Sequence, residues 1–171
     1  MEHFSSCVPI PVESGTSINH VAFDGCDYFC TIRCKCEIIR FDPCSQRVHR
    51  YCTSREYDCI CYDYCDHCFW TSSRTNGNKL FKLDCSMNEI DCIPICTPGQ
   101  NDVITGVSYN CCKDALLVSY LCSVVEVDKQ SEKSSVLYTT RKYWIVDVLS
   151  ICPGILLTVL KNGHYYIQVL N

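Results

Sequence analysis

The chain has 171 residues, and its 15 lysines and arginines against 19 aspartates and glutamates leave a net charge of −4 without long runs of one sign. That balance argues against nucleic acid or an anionic membrane as partner, while the length suits one domain, residues 1–171, burying about 70% of its unfolded surface. Eighteen cysteines would suggest a disulfide framework in a small secreted chain, but the opening "MEHFSSCVPIPVES" has no basic and then apolar stretch of a signal peptide.

The expected compartment is therefore the cytoplasm, with thiols reduced, and export or the cell surface is the alternative. The longest apolar run, "WIVDVLSICPGILLTVL", carries Asp147 and a Pro153-Gly154 break. It does not read as a membrane span.

The first expected element is a strand at Phe4–Ile10, because "SSCVPIPVESGTSINHVAF" resembles "IDCIPICTPGQNDVITGVSY" further on. From Val21 the chain repeats. "VAFDGC", "ICYDYC", "VSYNCC" and "VLSIC" align Cys26, Cys65, Cys112 and Cys152 at steps of 39, 47 and 40 residues. "IIRFD", "LFKLD", "VVEVD" and "YIQVL" align Asp42, Asp84, Asp128 and Leu170 at steps of 42, 44 and 42. Two independent anchors give one period. Within unit three the strands read "ITGVSY", "ALLVSY", "SVVEVD" and "SVLYTT", rich in β-branched and aromatic residues and separated by the turns "NCCKD" and "KQSEK". Asp24-Gly25, Asn76-Gly77, Pro153-Gly154 and Asn162-Gly163 fall between strands, where turn chemistry is needed.

Four-stranded units at a period of about 40 to 45 residues predict an all-β fold, a β-propeller of four antiparallel blades. The blades span approximately 18–57, 58–102, 103–143 and 144–171, and the last holds only three strands. Phe4–Ile10 is expected to complete it; otherwise the chain is a partial propeller that a partner chain or second copy completes. The pairs "VAFDG…IIRFD" and "CYDYC…LFKLD" resemble β-propeller repeats of the NHL and quinoprotein-like kind, most of all an uncharacterised cysteine-rich group of bacterial propellers. The resemblance implies a fold and carries over no catalytic residue.

The stretch "YDYCDHCFW" places Cys65 and Cys68 in a C-x-x-C pair, the one such knuckle beside a histidine. A structural zinc site needs four ligands, and Cys59, Cys61 and His67 are poorly placed to add them. Alignment sets Cys68 opposite Ala115 and Ile155, and Cys61 opposite Ala22, Ser108 and Val148. A thiol that exchanges with alanine, serine and valine is expected to serve as a small hydrophobe. No metal site is expected there. The four aligned turn cysteines are expected to stand too far apart to share a ligand and to tuck inward singly, while cross-strand disulfides stay open if the protein is exported.

No nucleophile elbow, phosphate loop or zincin motif occurs. Propeller sites form where inner strands begin, at a channel mouth. Asn19, His20, Asp58 and Asp102 are expected to gather there, and alignment puts Asp147 inside an innermost strand, where a carboxylate must be paired or open to the channel. The leading functional expectation is a non-catalytic scaffold that binds a protein or small ligand at a face or channel mouth, with no nucleic acid, membrane or obligatory cofactor. One alternative is a channel-mouth lyase, lactonase or hydrolase using a divalent cation; another is a thiol-rich metal or redox buffer.

Overall fold

The computed structural model describes residues 10, 12–76, 78–95 and 103–170. Within them fifteen strands form four antiparallel sheets. Blade one holds β1 (Ile18–Phe23), β2 (Tyr28–Ile32), β3 (Glu37–Asp42) and β4 (Arg47–Cys52). Blade two holds β5 (Ile60–Asp63), β6 (Cys68–Ser72), β7 (Lys79–Leu83) and β8 (Glu89–Pro94). Blade three holds β9 (Ile104–Asn110), β10 (Ala115–Tyr120), β11 (Ser123–Asp128) and β12 (Ser134–Thr139). Blade four holds β13 (Trp144–Ile151), β14 (Gly154–Lys161) and β15 (His164–Leu170). Each sheet is a simple meander, and the four make a four-bladed β-propeller.

Six of the eleven hairpins share one local cause. Asp24, Asp42, Asp63, Asp84 and Asp128 each accept hydrogen bonds through their own Oδ1 from the amides two and three, or two and four, residues on, and Asn110 does so from Cys112. The short side chain mimics a backbone turn. In five of these turns a residue with positive φ then redirects the chain into the next strand: Gln46, His67, Met87, Asp114 and Glu132. The aligned Cys26, Cys65 and Cys112 therefore mark the second position after an Asx-turn residue, which is why they recur.

Packing between successive blades is apolar. Phe29, Ile38, Ile60, Phe69 and Phe81 fill the space between blades one and two. Cys61, Cys68 and Trp70 pack with Val107, Leu116 and Val118 between blades two and three. Leu117, Ile145, Val148 and Leu157 join blades three and four. The small thiols fill space beside large side chains, as the alignment with alanine and valine requires.

Blades two and three are also bolted by charge. Lys129 Nζ, on the turn after β11, lies 2.6 Å from Asp63 Oδ2 and 2.5 Å from Asp114 Oδ1, and both Lys129 and Asp63 are buried. Burial alone would lower the Lys129 pKa, but its hydrogen bonds to Asp114 and Asp63 outweigh that and hold it above the usual lysine range.

Of the expected strand Phe4–Ile10, all but Ile10 lies outside the described residues. Ile10 and Val12 pack against Cys30, Ile32 and Ile39 on the face of blade one turned away from blade two. Among the described residues β15 pairs only with β14.

Candidate binding cleft

The inner strands pack in succession, β1 on β5, β5 on β9 and β9 on β13. Blade four does not seal onto blade one in the same way. Between them lies a cavity of about 470 Å³, lined by Val21 and Phe23 of blade one, Tyr62 and Tyr64 of blade two, Ser108 of blade three, and Leu149, Leu156 and Ile167 of blade four. His20 and Asp147 also line it and face each other, His20 Nε2 lying 3.4 Å from Asp147 Oδ1.

Each partner of that pair is fixed from behind. His20 Nδ1 lies 2.9 Å from the Ile60 carbonyl oxygen, and the Val148 amide donates to Asp147 Oδ1 at 2.8 Å. Gly106 makes the approach of Asp147 feasible: a Cβ at that position would sit 2.1 Å from Asp147 Oδ1. The register slip between Ile145 and Asp147 turns this carboxylate toward the cleft.

The remaining sequence candidates divide. Asn19 Nδ2 donates to the Asp58 carbonyl oxygen at 3.0 Å and to its Oδ1 at 3.1 Å. Asp58 also accepts from the Arg74 amide at 2.7 Å and pairs with Arg74 Nε at 3.0 Å. Its carboxylate is thereby occupied in tying blade one to blade two, and neither Asn19 nor Asp58 lines the cavity. Asp102 lies outside the described residues. Among the described residues, the groups of three potential metal ligands include none of His20, Asp58 and Asp147.

Cys65 and Cys68 separate in the same manner. Cys68 is buried at the start of β6 while Cys65 is exposed on the turn, and they fall in different ligand groups, with Asp63 and Asp66 for Cys68 and with Asp63 and Asp114 for Cys65. The C-x-x-C pair is not a knuckle around one point. The expectation that the four aligned turn cysteines stay apart fails at one pair: Cys112 and Cys152 are disulfide-bonded across 6.2 Å between Cα atoms, whereas Cys26 and Cys65 are free. Adjacent turns at the inner end of two blades lie closer than the whole ring suggests, because blades converge toward the axis.

Sequence reasoning missed the free face of blade four. Cross-strand partners share a face, and the pairs Trp144–Leu160, Leu149–Leu156, Leu156–Val169, Thr158–Ile167 and Leu160–Tyr165 trace one that points away from blade three. Asp147, paired with Thr158, is its charged member. Tyr165 and Ile167 are 68% and 65% exposed, and Leu149 is 54% exposed. The signal was present as unbroken apolarity on both alternating positions of "GILLTVL" and "YYIQVL", the pattern of a strand covered on two sides.

No family model matches the sequence, and no curated protein matches it. Solved structures similar to it are propellers or share their architecture at low identity. Myxococcus xanthus glutaminyl cyclase superposes with a TM-score of 0.67 at 12% identity, over 92% of this chain and 75% of that one. The WD40 repeats of RRP9 give 0.66 at 13% identity, over 92% and 52%, and streptogramin B lyase gives 0.63 at 10%, over 89% and 53%. This chain spans about half the length of the latter two. At these identities the likeness is one of fold. No helix among the described residues is long and apolar enough to cross a membrane.

Proposed function

We propose that the protein is a non-catalytic interaction scaffold that docks an extended segment of a protein partner in the cleft between blades one and four. The observation that carries this reading is the face of blade four turned away from blade three, apolar and exposed beside β15, which among the described residues pairs only with β14. Monomeric surfaces rarely leave such a contiguous apolar patch uncovered unless it serves binding. A strand adding to β15 would gain backbone hydrogen bonds at the edge and place alternate side chains beside Ile167 and Val169, the mode of β-augmentation. It would also add a fourth strand to the three that blade four shows among the described residues.

The similar WD40 structure shares the architecture and names no partner. The enzyme alternative has less support, since Asp58 is consumed by Arg74 and Asn19, which leaves one carboxylate at the floor. A strand-length peptide of alternating valine and threonine, about eight residues, should bind saturably in a calorimetric titration. The same peptide with a central proline should not. Ile167→Asp and Val169→Asp should weaken binding by more than about tenfold. Equal responses to both peptides, or binding untouched by either substitution, would remove the proposal.

A further inference from the structure

We propose that Cys111, Cys112 and Cys152 form a redox-gated site for a thiophilic divalent cation of the zinc class, open when all three are thiols and closed when Cys112 and Cys152 are joined. The three Sγ atoms lie within 4.8 Å of one another. Sixteen described cysteines are scattered through the fold, yet among the described residues this is the only all-thiol group of three at such spacing. Zinc at about 2.3 Å from each sulfur needs sulfurs about 4 Å apart, so only a small shift separates the trio from a ligand triangle.

The supporting frame is rigid. Cys111 and Cys112 sit on the turn between β9 and β10, and Cys152 on the turn between β13 and β14. Just beneath them the Ser150 amide donates to Ser108 Oγ at 3.0 Å, fixing the two inner strands against each other. All three side chains face solvent, so the cation has direct access. The neighbouring Asp114 is held by Lys129 and Tyr109 and is unavailable as a fourth ligand. Water would take the fourth position, which makes the site one of exchangeable rather than permanent metal.

The gate follows from valence. In the disulfide neither Cys112 nor Cys152 carries the thiolate that a zinc-class ion requires, so Cys111 stands alone. A dithiol reductant opens the site: two electrons and two protons pass to Cys112 and Cys152, and the reductant is left as its own disulfide. The entering cation then displaces the thiol protons of the trio. Blades three and four are cross-linked in both states, by sulfur in one and by metal in the other.

Cadmium, a spectroscopic stand-in for zinc, tests this directly. Titrated into reduced protein against a competing chelator, it should show a tight equivalent with thiolate-to-metal absorption that non-reduced protein lacks. Cys111→Ser keeps the disulfide pair and an exposed position, so it should fold normally, yet it should weaken that equivalent by more than about tenfold. Cys112→Ser and Cys152→Ser should do the same, and Cys85→Ser, an exposed cysteine elsewhere, should not. Zinc should also raise the Tm of reduced wild type and leave that of reduced Cys111→Ser unchanged. Equal cadmium uptake with and without reduction, or uptake indifferent to all three substitutions, overturns the proposal. Neither result bears on peptide docking in the cleft, so the two readings fail separately.

Discussion

Cysteine plays two unlike roles here, and the environment of each sulfur decides which. Cys59, Cys61 and Cys68 sit among Trp70, Leu80 and Leu116, and Cys30 sits among Ile32 and Ile39. Burial pushes the Cys30 thiol up to about 11 and those of Cys59 and Cys68 up to about 12, from an ordinary value of 9.0; Cys61 moves the same way. Since the thiolate is the nucleophile, these four should resist alkylation in the native protein at pH 8, whereas Cys34, Cys44 and Cys85 should react readily. Pulse labelling read by peptide mass spectrometry checks this; labelling of Cys59 or Cys68 at the rate of Cys85 would contradict it. The sign with pH follows. Above pH 9 unfolded thiols ionise while the buried ones stay protonated, so the folded state loses stability as pH rises from 9 toward 11 or 12. Replacing Cys68 by alanine, its aligned counterpart in blade three, should shrink that alkaline loss.

At the scale of strands and turns, most of the fold was legible because its causes are local. Period-two strands mark the sheets, Asx-turn residues at fixed offsets mark six of the eleven hairpins, and alignment of Cys61 with Ser108 and Val148 gave its burial. What escaped the sequence depends on residues far apart. Lys129 lies in "KQSEK", which reads as a solvated turn, yet its partner Asp63 is 66 residues away. The candidates Asn19 and His20 are adjacent in sequence but serve different carboxylates, Asp58 and Asp147, and the register shift between Ile18 and His20 on β1 breaks the alternation from which their directions could be read. Lys129→Met leaves Asp63 buried without its counter-charge and should cost about 3–5 kcal/mol in chemical unfolding, with the double variant Lys129→Met/Asp63→Asn recovering part of it. The lysine is held above 10.5, so its contribution is complete below that pH and fades as pH rises through the folded value. The hydrogen bond from Lys129, followed by that from Tyr109, holds Asp114 below 3.8, so its contribution is present above 3.8 and is lost as pH falls. The deficit of Lys129→Met should therefore be level between about pH 4 and 10 and narrow outside it.

For the molecule as a whole, the cleft makes the four blades unequal. Blades two and three are covered on both faces, and blade one has Ile10 and Val12 against its outward face. Among the described residues blade four is packed on one face alone, through Ile145, Val148, Leu157 and Val159. Cooperative stability scales with apolar surface buried on both sides, so this blade should open before the others. The Cys112–Cys152 bond, closing a loop across 40 residues, opposes that opening by roughly 4 kcal/mol of chain entropy. Its reduction in the presence of a chelator should then lower hydrogen-exchange protection of β14 and β15 while leaving β5, β6 and β7 unchanged. Metal added to the reduced protein should restore that protection, and so should a peptide that fills the cleft, by covering the free face. A uniform loss of protection across all four sheets would show instead that the propeller unfolds as one unit and that blade four has no separate equilibrium on which a ligand or the disulfide could act.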